Sequence, residues 1–433
     1  MNQQLIVLIA LLAFLILVFV FKQKITYACL IMPIILEVTG VLKFQETWAG
    51  LTNSSVIMMF SMLVIAEGFN KTGAVSKLSR KVIKPGSSDR KILIGLAIPF
   101  FFLMQVCNGP TAVAIMYPVI VQVCAENKRP LSKFIYPLAA IIAACANLIP
   151  LGSNATTYLR NNTIIETLGG VGEYTYFTNT IIKLPFSILH IIIAVTIGLA
   201  LAPDLGNIPS IGEDSSDGNK LLGRVPKAKL TETKSKIAVW IFVLVMVSVI
   251  VMAITKKGQT WWPALIGAFL MVGLGIMNDK EAINAGASPM LFMFVSILPL
   301  ATAVTKTGAD KTISDLFNKL TGNMSGFAVM IAMYLLCAVL TQFMNNSTVS
   351  QLFGMLAVII AVGNGWRAMP LYLAAYQGCA NAYLLPTSNL NNSMLYEMGG
   401  YELKHWIKQG LIYTVLDIVI FAIYVPILYP LNV

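Results

Sequence analysis

Apolar runs of membrane-crossing length recur along the chain, at residues 4–21, 26–42, 55–69, 134–150, 179–202, 237–254, 261–277, 287–304, 370–386 and 410–430. A hydrocarbon core about 30 Å thick is crossed by ~20 helical residues, so each run predicts a helix that spans or packs within a bilayer. Two further stretches, 92–124 and 326–363, are interrupted at their middles by "CNGPT" (107–111) and "MNNST" (344–348). Each is about twice as long as half a membrane needs. That predicts two re-entrant hairpins, pairs of short helices meeting at a polar tip, which survive only where protein or a water-filled cavity surrounds the tip.

"NLIPLGSNATT" (147–157) and "NAYLLPTSNLNN" (381–392) set Pro, Gly, Ser and Asn inside apolar spans. Such residues free carbonyls and amides from the helical ladder, which predicts broken helices over 134–160 and 370–396. Residues 203–236, the longest hydrophilic stretch, read as a cytoplasmic linker. The chain then divides into N-terminal helices (1–47), a first half (48–202) and a second half (237–433).

The two halves match. "NKTGAVSKL" from Asn70 pairs with "TKTGADKTI" from Thr305, "LMQVCNGPT" from Leu103 with "LTQFMNNST" from Leu340, and "CANLIPLGSN" from Cys145 with "CANAYLLPTSN" from Cys379. Three matches in one order at nearly constant spacing indicate an internal repeat. Between Lys71 and Lys306 the trace crosses the membrane an odd number of times, so the copies insert upside-down relative to one another, as in many secondary transporters. The expected fold is an all-α polytopic membrane protein with about 11 transmembrane helices and two re-entrant hairpins.

Composition agrees: 57% of residues are hydrophobic and 11% charged, against about 25% charged in soluble domains. A net charge of +11 would suit nucleic acid only if the basic residues shared one face. They lie instead between the apolar runs. With 71–91 cytoplasmic, about 21 of the 30 Lys and Arg fall inside, as the positive-inside rule requires. The excess is topology, with no nucleic-acid partner implied, and it puts both termini outside a membrane expected to be a bacterial inner membrane. Lys22 and Lys24 follow the first run, the wrong polarity for a signal peptide, so that helix is expected to be retained.

Enzyme chemistry has little to stand on. The six cysteines show no metal or redox spacing and read as small buried hydrophobes; His190 and His405 are solitary. There is no nucleophile elbow or HExxH. None of the 19 Asp and Glu lies in the four polar clusters, and Glu37, Glu67 and Asp417 are scattered among different apolar runs; Glu67 is expected to pair at the interface with Lys71. A site of donors without carboxylates suits an anion better than a proton relay. Half-helix N-termini offer N–H groups to it, while freed carbonyls and Asn, Ser or Thr oxygens can hold sodium. A lone hydroxyl in a span, such as Thr302 or Ser296, is packing glue worth ~0.6 kcal/mol. Four clusters repeated in register are read as a site. The rival readings are a cation/proton antiporter or a carrier of an inorganic anion such as sulfate or arsenite.

The "NGPT" and "NNST" tips, "EGFNKTGA" (Glu67–Ala74) and "NNSMLYEMGGYELKHWIKQGL" (Asn391–Leu411) resemble the divalent anion:sodium symporter family of the ion transporter superfamily, over roughly residues 48–430. The resemblance implies a homodimer with a static scaffold and a transport domain that moves like an elevator, carrying di- or tricarboxylates or sulfate with sodium or by exchange. It implies no cofactor beyond Na+ as coupling ion. The family's tip signature, Ser-Asn-Thr, binds substrate and sodium. Carried over, substrate contacts fall to Asn108, Gly109, Thr111, Asn154, Asn345, Asn346, Ser347, Thr348, Pro386, Thr387, Ser388, Asn389 and Asn392. Sodium falls to Asn108, Gly152, Ser153, Asn345, Asn346 and Ser388. The second tip is a close variant of the signature. The first departs from it, since Gly109 and Pro110 bring no side-chain oxygen.

Overall fold

The computed structural model describes residues 3–20, 25–72, 86–106, 109–170, 174–209, 230–255, 257–287, 289–321, 324–343 and 346–431, at some helical positions by backbone alone. Helices α1 (Gln3–Val20) and α2 (Ile25–Val38) precede a short α3 (Phe44–Trp48) and α4 (Ser54–Asn70). Asn53 caps α4 by accepting from the Ser55 N–H at 2.9 Å, answering one of the N–H groups a helix start leaves open. Helices α5 (Asp89–Val106) and α6 (Gly109–Glu126) pack on each other on either side of the first tip. Helix α7 (Ser132–Cys145) stops, a 3-10 turn forms at Gly152–Thr156, and α8 (Thr157–Thr167) resumes. Helix α9 (Thr178–Ile193) continues through a wide turn (Ala194–Gly198) to Leu201.

The second half begins with α10 (Glu232–Thr255), α11 (Trp261–Gly273), α12 (Asp279–Gly286) and α13 (Pro289–Thr307). An amphipathic α14 (Ala309–Thr321) leads to α15 (Gly326–Leu340) and α16 (Asn346–Gly363), the arms of the second tip. Helix α17 (Ala368–Ala380) breaks into a 3-10 turn (Pro386–Ser388) before α18 (Leu390–Gly399), and α19 (Leu403–Leu428) ends the chain. The described residues form helices and no strands. Five helical stretches are long and apolar enough to cross a bilayer: Phe44–Phe69, Thr178–Leu201, Glu232–Met252, Asn346–Gly363 and Leu403–Leu428. Large apolar side chains on α10, α11 and α19, such as Trp240, Phe269 and Ile427, face outward, which suits a lipid solvent. The expected basic segment 71–91 and the linker 203–236 lie largely outside the described residues, at 73–85 and 210–229.

The halves pack crosswise. A Cβ added to Gly50 would lie 2.6 Å from the Val295 carbonyl, and one added to Gly286 would lie 2.3 Å from the Phe60 ring, so only glycine admits these approaches. The two lysines of the Lys-Thr-Gly-Ala matches reach across as well. Lys71 at the end of α4 pairs with Glu281 of α12, and Lys306 in the last turn of α13 pairs with Glu46 of α3, both at 2.7 Å. Lys71, expected to pair with nearby Glu67, reaches an ion-pair partner on a distant helix. Each glutamate also serves its own helix, Glu46 accepting from the Lys43 N–H at 2.8 Å and Glu281 from the Asn278 N–H at 2.9 Å. The Lys71 ammonium, with the Asn278 N–H, holds the Glu281 carboxyl below the ordinary range.

Candidate functional site

Each broken helix is held by one glutamine from the preceding tip pair. Gln105, in the last turn of α5, donates through Nε2 to the carbonyls of Phe101 (3.1 Å) and Cys145 (3.0 Å), and its Oε1 accepts from the Ile149 N–H (2.9 Å). Gln342, just past α15, donates to the carbonyls of Ala338 (2.9 Å) and Asn381 (2.8 Å), and accepts from the Leu385 N–H (3.1 Å). Each amide supplies one donor and one acceptor where the helix has lost its own rungs. A buried peptide group left without such a partner costs about 1–3 kcal/mol. Sequence reasoning passed over both glutamines, although they stand inside the repeated L-x-Q-x-x-N-x-x-T pattern.

The residues assigned to the site divide by half. Asn108 and Asn345 lie outside the described residues, and Thr111, Gly152 and Ser153 are described by their backbone alone. Asn154, half-buried in the 3-10 turn, donates from Nδ2 to the carbonyls of Met104 and Gln105, both at 3.3 Å, tying the first break to the first tip. In the second half, Asn346 opens α16 and its Oδ1 accepts from Thr341 Oγ1 at 2.7 Å. Ser347 follows half-buried and Thr348 fully buried. Thr387, exposed, donates to the Gln342 carbonyl at 3.3 Å. The buried Ser388 and Asn392 both donate to the Ala382 carbonyl, at 2.9 and 2.7 Å, and Asn392 Nδ2 also reaches Ser388 Oγ at 3.0 Å. Asn389 caps α18, accepting from the Asn392 N–H at 2.8 Å.

One contact joins the two groups. Gly109, first residue of α6, approaches Asn391 so closely that a Cβ there would lie 1.9 Å from Asn391 Nδ2. Helix α18 packs on α6 and α7, and α16 packs on α8, so the helix after each break meets the other half's tip pair. Tyr136 of α7 adds a direct tie, donating to the Tyr383 carbonyl of the second break at 3.0 Å. Asn391 is a site neighbour that sequence reasoning missed, since its role rests on a contact with a residue far away in the chain.

The first break has a further set of partners. Tyr176 donates to the Pro150 carbonyl (2.6 Å), Thr180 to Leu148 (2.7 Å), Lys183 Nζ to Ala146 (2.7 Å) and Ser187 to Ala144 (3.0 Å). Thr180, Lys183 and Ser187 recur at three- and four-residue intervals and so share one face of α9. Farther along the same face His190, solitary in the sequence, lies 2.7 Å from Asp417 of α19, and both are buried. The signal for this cluster was a lysine and a histidine inside an apolar run, each with a partner too far off in sequence to see.

Chemically, two helices, α6 and α16, begin at the tips, and their first N–H groups lack intrahelical partners. Such ends attract anions. The surrounding side chains are amides and hydroxyls, and among the described residues no three His, Cys, Asp or Glu gather as a metal cluster. Helix N-termini beside amides and hydroxyls are groups that can accommodate an anion.

The fold belongs with membrane transporters. It superposes on the Alcanivorax borkumensis YdaH transporter with a TM-score of 0.61 at 12% identity, covering 88% of this chain and 85% of that one. It superposes on Neisseria gonorrhoeae MtrF, described among antimetabolite efflux pumps, with a TM-score of 0.58 at 14% identity, over 91% and 84%. The family model of the citrate transporters, CitMHS, matches residues 4–376, and the chain belongs to that family. A sodium-dependent dicarboxylate transporter, SdcS of Staphylococcus saprophyticus, is 22% identical over 92% of this chain and 81% of its own. An uncharacterised transporter of Synechocystis is 24% identical over 43% of this chain and 30% of its own length, and the uncharacterised transporter YfbS of Escherichia coli is 22% identical over 39% of this chain and 27% of its own.

Proposed function

We propose that the protein is a secondary transporter of small di- or tricarboxylates, working by sodium-coupled symport or by substrate exchange. The observation that carries this reading is the pair of glutamine clasps, which hold two broken helices against the ends of α5 and α15, beside the tips where α6 and α16 begin among amide and hydroxyl side chains. Substrate carboxylates bind at the N-termini of α6 and α16, with Asn108, Thr111, Asn154, Asn345, Asn346, Ser347 and Thr348 around them. Pro386, Thr387, Ser388, Asn389 and Asn392 shape the second wall, and Gly109 admits Asn391. Sodium takes oxygens from Asn346 and Ser388 in the second half, with Asn345, Asn108, Gly152 and Ser153 as the family-implied remainder.

The matching clasps and the reciprocal Lys–Glu pairs support two inverted repeats about a midplane site. The tip pairs are then re-entrant, about eleven helices span, both termini face outward, and a mobile domain carries the site across like an elevator within a homodimer. The test is uptake of radiolabelled citrate, succinate, malate and sulfate into proteoliposomes, under a sodium gradient, a proton gradient, or internal substrate alone. Saturable uptake of a carboxylate driven by sodium or by exchange is the expected result. Uptake of none of these in any arm would sink the reading.

A further inference from the structure

We propose that the ammonium of Lys183 is a tethered cation serving the first break, supplying from within the chain the positive charge that the second break takes from a free ion. The proposal rests on the anion-carrier reading above and names the coupling of that same site.

Helix α7 ends at Cys145, and the carbonyl end of a helix carries partial negative charge. Lys183 Nζ lies 2.7 Å from the carbonyl of Ala146, the first residue past that end, and the side chain is buried. A buried ammonium persists only where oxygens and negative charge compensate its lost water. Here the Ala146 carbonyl lies against the ammonium, and the negative charge of Asp417, which stands against His190 farther along the same face of α9, favours it from a greater distance. The neighbouring carbonyls already have donors: Ala144 from Ser187, Cys145 from Gln105, Leu148 from Thr180 and Pro150 from Tyr176. Loosened carbonyls are the usual ligands of a coupling ion, and at this break those of Ala144, Cys145, Ala146, Leu148 and Pro150 accept from side chains. The adjoining tip adds no oxygen from Gly109 or Pro110.

The second break differs in the charge of its donors and in its tip. Its carbonyls at Cys379, Asn381, Ala382 and Tyr383 are met by Thr341, Gln342, Ser388, Asn392 and Tyr136, all neutral. Its tip keeps side-chain oxygens at Asn346, Ser347 and Thr348. The two breaks therefore differ in charge: the first holds an ammonium against one of its carbonyls, and the second is met by neutral donors alone, beside a tip whose side-chain oxygens could share a free cation.

The test compares wild type with Lys183→Gln and Lys183→Arg in vesicles of phosphatidylethanolamine and phosphatidylglycerol. Anion counterflow is followed across sodium concentrations, with choline as replacement and methylammonium as a rescuing cation. In parallel, the melting temperature of each purified protein is taken in sodium and in choline chloride. Lys183→Gln is expected to raise the anion KM at least tenfold, with methylammonium recovering part of it and Lys183→Arg recovering most, since guanidinium keeps the charge. Its melting temperature is expected to respond more to sodium than that of wild type.

An unchanged KM together with an unchanged sodium response in a folded Lys183→Gln overturns the proposal. If Lys183→Gln does not elute as a folded protein, Lys183→Arg decides: a retained KM supports the charge, and a lost one overturns it. Wild type that exchanges none of the anions sinks the transport reading alone. The sodium-dependent melting, which needs no transport, then decides Lys183 by itself.

Discussion

The two broken helices begin alike and are finished differently. Both are clasped by a glutamine that gives one donor to a freed carbonyl and takes one N–H. Around the first, α9 lays down a ladder of donors that includes a buried lysine. Around the second, the donors are neutral and come from the break's own neighbourhood, Ser388 and Asn392, or from Thr341 and Tyr136. Irregular backbone in a membrane must be answered group by group, and the molecule meets that demand once with a charge and once without. Similar repeat sequences thus carry dissimilar electrostatics, so equivalence of motif does not imply equivalence of charge.

The comparison breaks most visibly at the second tip. Asn346→Ala or Thr348→Ala is expected to abolish anion counterflow, a loss of about a hundredfold or more, corresponding to ~2.7 kcal/mol, while the protein still elutes as a folded species. Normal transport by both variants would remove the site assignment. Next come the clasps. Gln105→Ala and Gln342→Ala each orphan a buried carbonyl and a half-buried N–H, and each is expected to lower stability in detergent by about 1–3 kcal/mol, read from thermal unfolding. A large loss for one and none for the other would show that the clasps are not equivalent.

Tyr136→Phe removes one bond to the second break and is expected to cost about 1 kcal/mol. The smallest effect is expected at the Lys71–Glu281 pair, where the carboxyl is partly exposed. Its folded pKa lies below the ordinary value, so whatever the pair contributes is fully present above the unfolded carboxylate range and is lost as pH falls through the folded pKa. Glu281→Gln is expected to shift stability by about 0.5 kcal/mol or less at neutral pH, and the difference from wild type should vanish in acid. A difference that persists at low pH would assign the effect to the capping of α12 by the side chain.

Much of this arrangement was legible in the chain. Uninterrupted apolar runs such as 237–254 and 410–430 become α10 and the end of α19, because helix formation and burial in lipid answer to local composition. The breaks were legible too: Pro150, Gly152, Pro386 and Asn389 carry their conformational preferences with them wherever they stand. The repeat pattern held Gln105 and Gln342 in plain view, yet nothing local says that a glutamine faces a carbonyl about 40 residues onward.

The sequence by itself determined the class of molecule, the positions of its helices and breaks, and the absence of a carboxylate from the polar clusters. Each of these follows from residue type and spacing over one or two helical turns. The tertiary structure alone decided that His190 has Asp417 as its partner, that Lys71 reaches Glu281, that Gly109 makes room for Asn391, and that Lys183 lies at the open end of α7. Those are contacts between segments far apart in the chain, and their energies depend on distance and burial, quantities that exist only once the helices have packed.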